Sequence, residues 1–284
     1  MQKGTRVLIM LCLVVSQWGC NSTSSTMEEN EALEPFAASY ERIENRLAIG
    51  QKYKLLIVES SHYSKVETNS FKTTDNQVLA YISLGEVSRG RWYYPLLEER
   101  GFLGINENWD SPYLNLADSV TRSIMLDQVV PSIMIKGYDG LFLDTIDDVA
   151  PHTERAHLQP YMLQMIEEIR KRYPDAFIIQ NAGLFLLEET QTLIDAVLLE
   201  DIATNYDFET SSYYLRDEED YQARVDTLDK YQKLTNLPFL IIDFAISDSI
   251  SSKAVNRLDR IPYSYFISNI ELNNISQGIS SGIK

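Results

Sequence analysis

The chain has 284 residues, and its 41 Asp+Glu against 25 Lys+Arg give a formal charge of −16. This balance excludes a nucleic-acid partner, because neutralising phosphates needs clustered Lys and Arg; 44% hydrophobic and 23% charged residues describe a globular chain. Three His and two Cys supply no zinc-ligand spacing, and Cys12 sits in an apolar run, so neither a metal centre nor an internal disulfide is expected.

At the N-terminus, Lys3 and Arg6 precede the apolar run Val7–Val15. A basic segment followed by a short apolar one is an export signal, too short for a membrane span. The run ends near Gly19-Cys20, which is similar to a bacterial lipoprotein signal in which Cys20 becomes the lipidated first residue. The expected organisation is therefore a signal peptide over 1–20, a polar tether over 21–35 rich in Ser, Thr and Glu, and one domain over 36–284. The localisation that follows is export, to the cell envelope or beyond it, with a lipid anchor at Cys20 as the sole membrane attachment.

Beyond residue 50, short β-rich apolar runs alternate with longer helical patterns, as βα units around a parallel sheet require. Eight strands are predicted: Lys54–Glu59, Val78–Gly85, Pro112–Ala117, Gly140–Asp144, Ala176–Asn181, Ala196–Glu200, Leu237–Asp243 and Pro262–Ser268. Their spacing, roughly 27 residues per unit, predicts an α/β fold, a single-domain (β/α)₈ TIM barrel. A helix over Tyr40–Ala48 is expected to close the barrel bottom. Another is expected over Ser119–Lys136, with a kink at Pro131. Tyr161–Tyr173 carries Met162, Met165, Ile166 and Ile169 on one face and is stopped by Pro174, and Asp217–Leu234 has acids in its first turn.

In such a barrel the chemistry sits where the strands end. Here the ends offer Glu59, Glu86, Asp118, Asp144 with Asp147 and Asp148, Asn181, Glu200 with Asp201, Asp243 and Asn269. A carboxylate leaving a buried strand is costly unless solvated or paired, and capping does not explain six of them at one rim. Asp144 and Glu200 would face each other two strands apart. One could attack or activate water while the other, its proton held by crowding, protonates a leaving oxygen, which is the pair a glycosidase needs. Glu86, Asp147, Asn181 and Asp243 are the surrounding substrate-binding candidates. Trp92, Tyr93, Tyr94, Trp109, Tyr206, Tyr213 and Tyr214 lie in segments between strands, where aromatics can stack on sugar rings. No nucleophile elbow, P-loop or dinucleotide fingerprint occurs, so no cofactor is expected. A Mg²⁺ or Ca²⁺ site, if present, would fall at Asp144, Asp147 and Asp148, but the acids are spread over many strands.

Four segments in series carry a family resemblance: Tyr81-Ile82-Ser83-Leu84-Gly85-Glu86, the run Gly137–Asp147 (GYDGLFLDTID), Gln180-Asn181-Ala182-Gly183 and Leu199-Glu200. Together they resemble the TIM-barrel endo-α-1,4-polygalactosaminidases, glycoside hydrolase family 114, over roughly residues 40–270. The resemblance implies a secreted hydrolase of α-1,4-linked galactosamine or N-acetylgalactosamine polysaccharide, with Asp144 as nucleophile and Glu200 as acid/base. It also adds Arg91 and Tyr93, which match an Arg and an aromatic that follow the family's Gly-Glu. Ser88 and Gly90 stand where acidic and aromatic residues are usual around that Arg. That departure motivates the alternative, a non-catalytic surface lipoprotein that binds polysaccharide on the same barrel.

Overall fold

A computed structural model describes residues 33–283 of the chain. The expected signal peptide, Cys20 and the tether as far as residue 32 lie outside the described residues. Leu33 packs on the core and the Glu34 carboxylate accepts a hydrogen bond from the Ser264 hydroxyl at 3.2 Å, just ahead of the first strand.

Thirteen strands occur among the described residues: β1 (Phe36–Ser39), β2 (Leu55–Glu59), β3 (Gln77–Ser83), β4 (Phe102–Asn106), β5 (Ser111–Leu114), β6 (Gly140–Asp144), β7 (Phe177–Asn181), β8 (Ala196–Glu200), β9 (Thr204–Asp207), β10 (Ser212–Leu215), β11 (Phe239–Phe244), β12 (Ser264–Ser268) and β13 (Ile279–Ser280). Eight of them, β1, β2, β3, β6, β7, β8, β11 and β12, pair in parallel in that order, each with the next. β13 pairs antiparallel with β12, and the Ser280 hydroxyl donates to the Phe36 carbonyl at 2.9 Å. The C-terminal segment thus seals the seam between the last and first strands, completing the TIM barrel. β2, β6, β8, β11 and β12 are buried along almost their whole length, because side chains fill the ring on one face and helices cover the other.

Two strand expectations change. Pro112–Ala117 is not a barrel strand: Ser111–Leu114 pairs antiparallel with β4 as a hairpin standing on the loop after β3. The missing ring position belongs to β1, a four-residue strand that pairs with β2. The first helix accordingly runs over Arg46–Lys52 instead of Tyr40–Ala48, and Tyr40 is left at the top of β1. Gly50 lies inside that helix, where a Cβ would stand 1.8 Å from the Phe71 carbonyl oxygen, so the close approach requires glycine.

The helix expected over Ser119–Lys136 is present in three pieces. Ile124–Val129 widens to π geometry, with the Val130 N–H bonded to the Met125 carbonyl, directly ahead of Pro131. Proline offers no N–H and crowds the preceding turn, and a π segment at that point relieves the crowding. The helix Gln159–Arg172 buries the predicted face of Met162, Met165, Ile166 and Ile169. Glu218–Thr235 is capped by the Asp217 carboxylate, which accepts the Asp220 N–H at 2.8 Å.

Matching aspartates fasten the starts of the two strands that matter most. Asp139 precedes β6, accepting the Val78 N–H at 2.9 Å and the Lys72 ammonium at 2.6 Å. Asp195 precedes β8, accepting the Ile178 N–H at 2.7 Å and Arg170 at 2.6 Å. Each locks its strand in register at the bottom, and so sets which residue emerges at the top. Among the described residues no helix is long and apolar enough to cross a membrane.

Candidate active site

Three consecutive barrel strands, β6, β7 and β8, end in Asp144, Asn181 and Glu200. In each case the next residue turns into left-handed backbone without being glycine: Thr145 at φ 62°, Ala182 at φ 50° and Asp201 at φ 59°. Such conformations cost free energy, and the surrounding structure must hold them. At Thr145 the hold is visible, since its hydroxyl accepts the Gly85 N–H at 2.7 Å and lies 2.8 Å from the Ser83 hydroxyl. The sharp turns stop the strands at these three side chains.

The three side chains form one hydrogen-bonded unit. The Asn181 amide nitrogen donates to Asp144 Oδ1 at 2.8 Å and to Glu200 Oε1 at 3.2 Å. Those two oxygens are therefore at most about 6 Å apart, the sum of the two bonds. Burial, and then the charges of Asp144 and Asp201, push the Glu200 carboxyl up to about 8, although the Asn181 amide pulls it down. Glu200 thus keeps its proton at neutral pH. On the other side of Asp144 the rings of Tyr40 and Tyr81 meet at 4.5 Å between centroids. Burial and then the Asp144 charge hold both phenols well above their ordinary value, so both remain donors.

Asp144, Glu200, Tyr40 and Tyr81 line a cavity of about 910 Å³ at the strand C-terminal end, while Asn181, expected to bind substrate, is buried behind the two carboxyl groups and does not join the lining. A smaller hollow of about 330 Å³ lies at the opposite end of the barrel, where Asp139, Asp195 and Arg170 are already engaged in fastening strand starts. The upper cavity reaches from Glu200, Phe244 and Ile270 past Tyr40 to Glu59, Arg91 and Trp92.

The other predicted residues divide into two groups. Arg91 and Glu86 line the cavity but are already engaged. Arg91 forks onto Glu59 with bonds of 2.5 and 2.7 Å, and its guanidinium sits 5.9 Å over the Tyr81 ring. Burial raises the Glu59 carboxyl, but Arg91 and the Ser61 N–H outweigh it and hold the group below its ordinary value. Glu86 accepts from Asn106 at 2.7 Å and from the Ser111 hydroxyl, fastening the β4–β5 hairpin to the mouth. Tyr93 is buried on the cavity wall, edge-on to Trp92.

Asp147 and Asp243 do not join the cavity lining. Asp147 accepts the Gly183 N–H at 2.9 Å and ties the loops after β6 and β7 together. Asp243 is fully buried and accepts from the Ala203 and Thr204 N–H groups at 2.9 Å and from the Thr204 hydroxyl at 2.8 Å. Asp118 caps the helix Ser119–Ser123, taking the Thr121 N–H at 3.1 Å, and pairs with Arg100 at 2.9 Å.

Tyr40 and Tyr81 line the cavity without a site role expected from sequence, and Glu59 and Asp148, expected as strand-end carboxylates at the rim, line it too. Asp148 lies near Glu86; burial and then that neighbouring charge push it up to about 8.

A sequence model of glycoside-hydrolase family GH114 matches residues 22–282. The chain belongs to that family. It is a glycosidase by that membership, and its solved neighbours share the barrel. The glycoside hydrolase domain of PelA from Pseudomonas aeruginosa superposes with a TM-score of 0.75 at 23% identity, covering 87% of this chain and 98% of that one. Ega3 from Aspergillus fumigatus, solved in complex with galactosamine, gives 0.65 at 15% identity, covering 84% and 91%. The α-galactosidase TtGalA from Thermus thermophilus, bound to p-nitrophenyl α-D-galactopyranoside, gives 0.52 at 11% identity, covering 82% and 57%. No protein of curated function matches the chain in sequence.

Proposed function

We propose that this GH114 glycosidase is exported, anchored at Cys20, and cleaves α-1,4-linked galactosamine polysaccharide with retention, using Asp144 as nucleophile and Glu200 as acid/base. The observation that carries the reading is the single Asn181 amide bonded to both carboxyl groups. Retaining enzymes hold their carboxyls about 5–5.5 Å apart and inverting ones about 6.5–9.5 Å, to leave room for a water. A ceiling of about 6 Å on one oxygen pair favours retention.

In the first step Asp144 attacks the anomeric carbon while Glu200 passes its proton to the departing glycosidic oxygen. The anomeric carbon–oxygen bond breaks as the Asp144 ester forms. In the second step Glu200, now ionised, takes a proton from water as that water displaces Asp144. Among the described residues, Asn181 is the donor that touches both groups, so it can follow the negative charge from Asp144 to Glu200. The Tyr40 and Tyr81 phenols offer further donors beside Asp144. Galactosamine as substrate is supported by family membership, by the sugar bound in Ega3, and by the formal charge of −16, which attracts a polycation.

The test is incubation with a panel of amino-sugar polymers followed by mass spectrometry of the products. New reducing-end oligomers of galactosamine are expected. Acetate release without depolymerisation, or binding without any product, would overturn the reading.

A further inference from the structure

Two antiparallel hairpins stand on the rim of the barrel. One, β4–β5, follows β3, the third strand of the ring; the other, β9–β10, follows β8, the sixth. Strands third and sixth of eight lie on nearly opposite sides, so hairpins that touch must reach across the mouth. They do touch, tip to tip. Asn106 pairs with Ser111 and Asp207 with Ser212, leaving residues 107–110 and 208–211 as the two tips. Trp109 of one tip meets Phe208 of the other edge-to-face, with ring centroids 5.3 Å apart at 80°.

Both roots are fixed. The first hairpin is tied by Glu86 to Asn106 and Ser111, and by the Leu114 N–H to the Gly85 carbonyl at 2.7 Å. In the second, Tyr206 packs between Phe208 and Tyr213, and the Tyr213 hydroxyl accepts the Ile270 N–H at 3.1 Å from the loop after β12. Trp109 lines the cavity that holds Asp144 and Glu200; Phe208 does not line it. The rings are 49% and 38% exposed, so their contact is not a by-product of core packing. Edge-to-face pairs of this kind are specific in geometry and weak enough to part.

We propose that the Trp109–Phe208 pair is a bridge over the cleft that selects how a long polysaccharide engages the site. A chain that lies through the cavity and leaves past Trp109 must pass beneath the paired rings or part them. An internal stretch then enters only when the rings part, and a chain captured beneath them stays in place for further cuts. Phe208 is the specificity-determining residue of this device, acting through Trp109 on chains long enough to cross the bridge.

This inference rests on the galactosamine-polymer reading, and its test is built to fail separately. Phe208→Ala breaks the bridge and leaves Trp109 on the cavity wall; Phe208→Tyr keeps an aromatic ring at the tip. Each protein is incubated with long soluble α-1,4-galactosamine polymer, and solution viscosity is followed against new reducing ends. Viscosity loss per reducing end is expected to rise several-fold in Phe208→Ala, while Phe208→Tyr behaves as the unaltered protein. Cleavage of short oligomers should be unchanged in all three, and that control also reports that the variants are folded. Equal viscosity loss per reducing end in Phe208→Ala and the unaltered protein, with cleavage intact, would overturn the bridge alone. Absence of reducing ends from the unaltered protein would instead sink the substrate reading, and the bridge proposal with it.

Discussion

Replacing Glu200 by Gln separates its chemical role from its structural one. Gln has the same shape and can still accept from Asn181, but it can neither give nor take a proton. Hydrolysis should fall about 10²–10⁴-fold, the usual contribution of a positioned acid/base. Stability should move the other way. A carboxyl pushed from 4.5 to about 8 has its ionised form disfavoured by ~5 kcal/mol in the folded state. The folded-state value lies above the unfolded one, so the associated stability is fully present below about pH 4.5 and is lost as pH rises through about 8. The neutral amide of the Glu200→Gln variant carries no such penalty. Urea unfolding of both proteins from about pH 5 to about pH 9 should therefore show near-equal stability at the acid end and a growing advantage for Glu200→Gln, up to ~5 kcal/mol, at the alkaline end. Asp148, also pushed up to about 8, is present in both proteins and cancels in the difference. Parallel stability profiles would refute the reasoning, because they would mean that Glu200 is not held protonated by its surroundings.

Asn181→Ala removes the amide that pulls the Glu200 carboxyl down, so the alkaline limb of the pH–rate profile should move to higher pH while kcat falls; a limb that stays put would show that Asn181 does not act on Glu200. Arg91→Met leaves the buried Glu59 unpaired, and thermal unfolding should report a loss of about 3–5 kcal/mol. Gly140→Ala places a Cβ 1.8 Å from the Phe177 carbonyl oxygen at the first residue of β6; backbone must move, and a lowered Tm with reduced activity is expected even though the site residues are untouched.

The ring was readable wherever a strand is buried on both faces, since such strands appear as unbroken apolar runs ending in a polar residue. That is how β6 and β8 delivered Asp144 and Glu200. β1 escaped because Phe36-Ala37-Ala38-Ser39 is short and half alanine, a weak strand former whose place is set by pairing with β2. With β1 unread, Tyr40 could not be placed at the mouth. The hairpin strand Ser111–Leu114 took the vacant position in the count, because pattern alone does not tell a barrel strand from a rim strand. Asp243 illustrates the alternation of side chains along a strand. The residue that pairs with Glu200 is Ile242, so Asp243, one step further along β11, turns to the 203–204 backbone instead of the cavity. At residues 147 and 148 the choice depended on the left-handed turn at Thr145, which directs Asp148 into the cavity and Asp147 onto Gly183; no spacing rule encodes that. Tyr81 was seen only as part of a motif, and its contact with Tyr40 joins residues 41 positions apart.

The pairing of Asp144 and Glu200 across one amide is tested most directly by trapping the first half of the reaction. A 2-fluoro galactosyl donor with a good leaving group would be incubated with the protein, digested with protease and mapped by mass spectrometry. A sugar adduct on the carboxyl of Asp144, absent from Asp144→Asn, is the predicted result. An adduct on Glu200, Glu86 or any other carboxyl, or turnover to a product of inverted anomeric configuration, would contradict it.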